Sequence, residues 1–169
     1  MTIPPWASRA FSSLAVRNFR LYFTGQILSV SGTWMQRIAQ SWLVLELTGS
    51  GTALGLVTAV QFLPMLFLAP LGGVIADRFD KRRLLFITQS IAALLATALG
   101  LLVVLDLVQL WMVYALAAAL GLVASVDNPT RQTFVLEMVD RDNLTSAVSL
   151  NAVMAVSYTH LTLPTIYSV

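Results

Sequence analysis

Four long apolar stretches dominate this sequence and restrict what it can fold into. They cover residues 21–47, 53–76, 84–105 and 108–126. A helix needs about 20 apolar residues, each rising 1.5 Å, to cross a hydrocarbon core of about 30 Å. Every stretch is long enough, and the links at 48–52 and at Asp106 are so short that successive helices must run antiparallel. The sequence predicts an all-α, polytopic membrane protein with four spanning helices.

Composition excludes several classes of function. Hydrophobic residues make up 57% of the chain and charged residues 11%, against about 25% charged residues in soluble domains. Cysteine is absent and His160 is the only histidine, so thiol chemistry, cysteine zinc sites and multi-histidine metal sites are excluded. Asp77, Asp80 and Asp127 lie among cations with no histidine nearby. We therefore expect no enzyme, metal or cofactor, and a net charge of +2 predicts no nucleic-acid partner.

The distribution of cations predicts the orientation in the membrane. In a four-span arrangement, nine of the ten Lys and Arg residues fall on one side, and the tenth, Arg37, lies inside a span. The nine are Arg9, Arg17, Arg20, Arg78, Lys81, Arg82, Arg83, Arg131 and Arg141. Loops rich in Lys and Arg stay in the cytoplasm. Residues 1–20 are therefore predicted to form a cytoplasmic arm.

The sequence after the fourth stretch is more polar. Residues 127–132 are predicted to return the chain to the cytoplasm, and 133–139 to form a short interfacial helix. A further helix is expected to begin near Leu144, so 21–156 would hold four spans and the start of a fifth. Composition changes at Ser157, and 157–169 resemble translated adapter DNA. We expect native sequence to end at about Val156 and the last segment to be a non-native tail.

A polar stripe crosses the first apolar stretch. Gln36 and Gln40 are one turn apart, with Arg37 beside them. An arginine at the centre of a span costs about 2.5–3.5 kcal/mol on insertion scales, so it should face protein or a water-filled cavity. One hypothesis is that these residues line a substrate or proton pathway. In the alternative, Arg37 extends outward or pairs with Glu46.

The link between the second and third stretches carries the most specific motif. Glycine is followed after three residues by Asp-Arg and then by basic residues, at Gly73, Asp77, Arg78, Lys81 and Arg82. This motif resembles the signature loop of the major facilitator superfamily, with Asp80 where that loop has a second glycine. Further similar strings follow in the family's order: Asn18-Phe19-Arg20, Gly25-Gln26, Ala39-Gln40-Ser41-Trp42-Leu43, Asp127-x-Pro129-x-Arg131-Gln132 and Ser149-Leu150-Asn151. Over residues 18–156 the chain is similar to the bacterial exporters that include the enterobactin exporter.

This resemblance implies part of a twelve-helix secondary transporter that works by alternating access. It implies that Asp77 closes the cytoplasmic side against the other half of the protein. We expect a gating ion pair between Asp127, near Arg131, and one of Lys81, Arg82 or Arg83; the alternative is solvated charges that only fix orientation. The implied activity is proton-coupled efflux of a small molecule of drug or siderophore type. An inactive truncated remnant or a non-transporting assembly module is the alternative, and the substrate and oligomeric state stay open.

Overall fold

The computed structural model describes residues 17–138, except the side chains of residues 18, 19, 136 and 138. This part consists of four helices and contains no strand, which confirms the all-α prediction. The helices are α1 Arg17–Thr48, α2 Gly51–Arg78, α3 Lys81–Val104 and α4 Leu110–Met138. Most of the predicted N-terminal arm, the predicted fifth helix and the tail lie outside the described residues.

Three of these helices are long and apolar enough to cross a membrane. They are Gly51–Arg78, Lys81–Val104 and Leu110–Val135. The first helix has 32 residues, about 48 Å at 1.5 Å per residue. Polar residues, including Gln36, Arg37 and Gln40, lower its hydropathy below that of the other three. Its length suffices for a span, and its crossing of the bilayer stays a prediction.

The chain divides into two compact units. One comprises Met35–Phe134; the other comprises Met1–Trp34 and Val135–Val169, of which the structure describes 17–34 and 135–138. In the described part of this second unit, the Thr33 hydroxyl donates to the Ser29 carbonyl at 3.0 Å. Thr24 bonds in the same way to carbonyls of its own helix. These hydroxyls need no partner from another helix.

Two-residue turns join the first three helices. The turn after α1 uses Gly49, which has φ of +61° and whose N–H donates to the Leu45 carbonyl at 2.7 Å. Glycine adopts this left-handed conformation without steric cost. After α2, Phe79 is extended, and Asp80 caps α3 by accepting from the Arg83 N–H at 2.8 Å. This turn is tight without the family's second glycine, because a side-chain cap meets the helix's orphan N–H.

One end of each of the four helices contributes to an apolar core within the unit Met35–Phe134. Val44 near the end of α1, Val57 near the start of α2, Leu99 near the end of α3 and Val113 near the start of α4 form one buried cluster. Ends of odd-numbered helices therefore lie beside starts of even-numbered ones. This arrangement confirms the antiparallel hairpins inferred from the short links.

The opposite end of this unit has a polar core. Its buried side chains are Thr88, Ser125, Asp127 and Thr130. The cations Arg78, Lys81, Arg82, Arg83 and Arg131 belong to the same helix ends. The bundle therefore has an apolar end and a polar, cation-rich end.

Residues 127–132, which are predicted to return the chain to the cytoplasm, belong to a helix, and their position relative to the membrane stays a prediction. Helix α4 continues from Leu110 to Met138 through Pro129. Proline removes one backbone donor, so the Ser125 carbonyl, four residues earlier, loses its helical partner. The Thr130 and Thr133 hydroxyls bond to carbonyls in this part of the helix, at 2.6 Å to Val126 and 3.0 Å to Pro129. The separate interfacial helix predicted at 133–139 is, over its described residues, the last part of α4.

Candidate functional site

A buried carboxylate connects α3 to α4 at the cation-rich end. Asp127 is 7% exposed. Its Oδ1 accepts from the Thr88 hydroxyl at 2.6 Å and from Gln89 Nε2 at 3.0 Å. Its Oδ2 forms an ion pair with Nε of Arg131, one turn further along α4. Both carboxylate oxygens are therefore bonded, by three side chains from two helices.

This arrangement is what a buried charge requires. A carboxylate removed from water is costly unless it is both paired and hydrogen-bonded. Arg131 balances the charge, and Thr88 and Gln89 meet the remaining acceptor capacity. Because these two donors belong to α3 while the ion pair belongs to α4, separating the helices would leave the ion pair without its neutral donors. We name Thr88, Gln89, Asp127 and Arg131 the Asp127 cluster.

The structure pairs Asp127 with a different cation from those expected. Its ion-pair partner is Arg131, whereas Arg82 and Arg83 are exposed and Lys81 is half-buried. The expected pair with Lys81, Arg82 or Arg83 does not occur among residues 17–138. The reason is position: the α3 donors that reach Asp127 lie farther along α3 from its first turn. Sequence reasoning missed Thr88 and Gln89, although the run of polar residues 88–90 in a largely apolar span was a signal.

Two adjacent glycines near the end of α2, Gly72 and the motif residue Gly73, lie on different faces of the helix. A Cβ atom at Gly73 would meet nothing within 4 Å, and Asp77, one turn later, is exposed. At Gly72, in contrast, a Cβ atom would lie 2.8 Å from the carbonyl carbon of Ser125 in α4. Gly72 is therefore in a close helix contact inside this bundle. Gly73 and Asp77 share an open face, and Arg78 is also exposed.

The polar stripe of α1 divides between two environments. Gln36 and Gln40 line a cavity of about 890 Å³ between α1 and α3. Arg37 is not part of that lining, and its guanidinium carbon lies 5.6 Å from the centre of the Phe62 ring in α2, within cation–π range. Glu46 also lines the cavity, about 13 Å along the helix from Arg37. The three stripe residues therefore do not form one wall, and the structure shows no Arg37–Glu46 pair.

Metal binding has no support in the described part of the chain. No group of three or more His, Cys, Asp or Glu side chains there could hold a metal ion. The polar features of the described chain are a buried carboxylate held by hydrogen bonds and an ion pair, an exposed turn with acidic and basic side chains, and an arginine over an aromatic ring. This combination in a bundle of apolar helices defines a multi-pass membrane protein with a polar network at one end.

Comparison with known proteins identifies the family. The sequence matches the family described as transmembrane secretion effector over residues 8–159. The chain therefore belongs to this family of major facilitator superfamily transporters. This membership places the chain among transporters rather than enzymes.

Two known transporters are similar in sequence to most of this chain. The chain is 30% identical to the staphyloferrin A transporter of Staphylococcus aureus (strain NCTC 8325 / PS 47) over 79% of this chain and 34% of that protein. It is 25% identical to the uncharacterized MFS-type transporter YfiS of Bacillus subtilis (strain 168), over 76% and 30%. The chain thus spans about a third of the length of these relatives. No solved structure matches it.

Proposed function

We propose that the full-length protein is a secondary active transporter that exports a small molecule across the bacterial inner membrane by alternating access. Outward movement of substrate is coupled to inward movement of protons, and the N-terminus is cytoplasmic. Family membership supports transport. The open face of Gly73 and Asp77 is the observation that carries the gating mechanism, because a motif glycine and acid left uncovered in this bundle suit contact with a second half.

The proposed gate has a fixed part and a mobile part. The Asp127 cluster holds α3 against α4, so these helices move as one body. Gly73, Asp77 and Arg78, together with the cations Lys81, Arg82 and Arg83, form the surface that docks on the other half when the cytoplasmic side closes. Opening breaks contacts across this surface and leaves the cluster intact.

Arg37 is the proposed contact for substrate. It is half-buried, and the Phe62 ring in the next helix lies within cation–π distance. An arginine in this position suits an anionic or carboxylate-rich molecule. The staphyloferrin A relative supports a substrate of siderophore type, in preference to a cationic drug.

Reconstitution tests this proposal. Full-length protein in vesicles with an imposed pH gradient should move staphyloferrin A, and addition of that probe should dissipate the gradient. Asp77→Asn should abolish transport without changing the amount of folded protein. Asp106→Asn is the matched control, because Asp106 is exposed in the loop at the opposite end, and it should transport normally.

Three results would count against parts of the proposal. Transport of ethidium but not staphyloferrin A would overturn the substrate class. Transport that does not dissipate the pH gradient would overturn proton coupling. Full activity of Asp77→Asn would overturn the gate. The 169-residue chain serves as the negative control and should not transport, since it contains no second half.

A further inference from the structure

One side of α3 is turned away from the other helices of its unit. The buried residues of α3, Thr88 and Leu99, lie on one side of the helix. With a turn of about 100° per residue, the opposite side carries a row of exposed residues. This outer row of α3 consists of Phe86, Ser90, Leu94, Thr97 and Leu101. It extends over 15 residue steps, about 22 Å at 1.5 Å per residue.

The hydroxyl groups of the outer row are bonded within α3 itself. Ser90 Oγ donates to the Phe86 carbonyl at 2.8 Å, and Thr97 Oγ1 donates to the Ala93 carbonyl at 2.8 Å. The other side chains of the row are apolar, and Phe86 is 76% exposed. Polar groups in the hydrocarbon core must be satisfied inside the protein. The outer row meets that requirement and suits contact with the acyl chains of lipids.

Two exposed arginines lie at the cation-rich end of this row. Arg82 and Arg83 precede Phe86 by four and three residues, so both are its neighbours on the helix surface. Neither guanidinium group makes an ion pair or hydrogen bond with another part of residues 17–138. Asp80 accepts from the backbone N–H of Arg83, so the donors available here are those of the two side chains. Residues 77–83 carry four cations and two acids, which leaves a surplus of positive charge.

We propose that Arg82 and Arg83 bind the phosphate of an anionic phospholipid, with one acyl chain of that lipid lying along the outer row of α3. Guanidinium groups are planar charged donors that bond to phosphate oxygens in pairs. The surplus of positive charge favours a headgroup with a net negative charge. The occupant is a lipid because the surface directly below the arginines is apolar, and a soluble anion would contact the turn alone.

This inference goes beyond the proposed transport function and does not depend on it. Lipid binding here is a property of α3 and the turn before it. In the proposed gate, Arg82 and Arg83 also belong to the surface that docks on the second half, so a bound phosphate would reduce the positive charge of that surface. This consequence for gating, unlike the binding itself, rests on the proposed function.

Quenching of tryptophan fluorescence by brominated lipids tests the proposal. Full-length protein with Phe86→Trp is placed in phosphatidylcholine vesicles with a minor fraction of brominated phosphatidylglycerol or, in parallel, of brominated phosphatidylcholine. The signal of the unsubstituted protein is subtracted, because the chain contains four tryptophans. The apparent binding constant should favour phosphatidylglycerol by about five-fold or more, since each basic residue near the membrane surface contributes a factor of about five. Arg82→Gln combined with Arg83→Gln should abolish this preference.

A second reporter and a soluble anion are the controls. Leu101→Trp places the indole in the same row, at an exposed site about 22 Å from Phe86, and both lipids should quench it equally. Inorganic phosphate, added at constant ionic strength, should leave the preference at Phe86→Trp unchanged, because the acyl chain contributes to lipid binding.

Each contrary result has a defined meaning. Equal quenching of Phe86→Trp by the two lipids means that the arginines are solvated charges and overturns the proposal. A preference that persists without the two arginines, or that recurs at Leu101→Trp, means a general attraction of the protein surface and overturns it as well. Loss of the preference with inorganic phosphate means a site for free anions and overturns the lipid as occupant. Transport is measured in none of these experiments, so failure of the export proposal leaves the test intact.

Discussion

Gly72 and Ser125 meet backbone to backbone, and this contact brings α2 against α4. A Cβ atom at Gly72 would lie 2.8 Å from the carbonyl carbon of Ser125. That carbonyl lacks its helical N–H donor, because the residue four positions later is Pro129. A glycine on α2 therefore lies opposite the carbonyl that a proline on α4 leaves unbonded. A second such contact places Gly121 of α4 against the carbonyl of Gln61 in α2.

This contact predicts different effects for two neighbouring glycines. Gly72→Ala should lower the free energy of unfolding by about 1–3 kcal/mol, the range for overpacking of a close contact. Gly73→Ala should be neutral or slightly stabilising, since a Cβ atom there meets nothing within 4 Å. Thermal unfolding of both variants in detergent micelles measures the difference. Equal effects at the two positions would contradict the assigned contact.

The Asp127–Arg131 ion pair should behave as a coupled unit. Asp127→Asn removes the charge that pairs with Arg131 in a largely buried site and should cost about 3 kcal/mol of unfolding free energy. Arg131→Gln should cost a similar amount, and the double variant clearly less than the sum of the two. A double-mutant cycle on unfolding free energies measures this coupling. Asp127→Asn combined with Arg82→Gln is the control and should be additive.

Thr88 should contribute through its hydroxyl rather than its size. Thr88→Val keeps the shape of the side chain but removes the donor to Asp127 at 2.6 Å. We expect a loss of about 1–3 kcal/mol, because a buried charged acceptor loses one of its donors. Thr97→Val is the matched control, since exposed Thr97 bonds to the Ala93 carbonyl of its own helix at 2.8 Å. A loss at Thr97 as large as that at Thr88 would show that the Asp127 bond is not the cause.

Asp80 should stabilise the start of α3 as its cap. Asp80→Ala removes the acceptor for the Arg83 N–H and should cost about 0.5–2 kcal/mol, whereas Asp80→Gly should cost only a few tenths. Thermal unfolding separates these two values. Asp77→Ala, three residues earlier, should leave stability unchanged because Asp77 is exposed and caps no helix. If Asp80→Ala unfolds at the same temperature as the unsubstituted chain, the cap is not needed for the turn.

Variants of Arg37 and Phe62 should distinguish a role in substrate binding from a role in stability. Phe62→Leu keeps an apolar side chain but removes the aromatic ring beside Arg37. The free energy of unfolding should fall by about 0.5–2 kcal/mol, the contribution of a cation–π contact. Arg37→Leu should abolish transport of an anionic probe in the full-length protein. Gln36→Ala should not, because Gln36 lines the cavity between α1 and α3. Vesicle transport of staphyloferrin A measures both variants. Normal transport by Arg37→Leu would show that this arginine has only a structural role.

Much of the architecture was determined by sequence alone. Stretches of more than 20 apolar residues and links too short for any other connection specify antiparallel helices, because both follow from local periodicity and chain length. The sequence motif between α2 and α3 also predicted the family. These properties depend on residues that are close together in the chain.

Only the tertiary structure decided the partners across helices. Sequence placed Asp127 near several cations, but which cation pairs with it depends on helix rotation and on Pro129 remaining inside α4. The same holds for the two glycines at the end of α2, of which only Gly72 faces α4. Gln36, Arg37 and Gln40 are close in sequence, yet the helical turn of about 100° per residue directs Arg37 to α2 and the glutamines to α3. Contacts between distant residues follow from packing geometry, and that geometry is not encoded in local spacing.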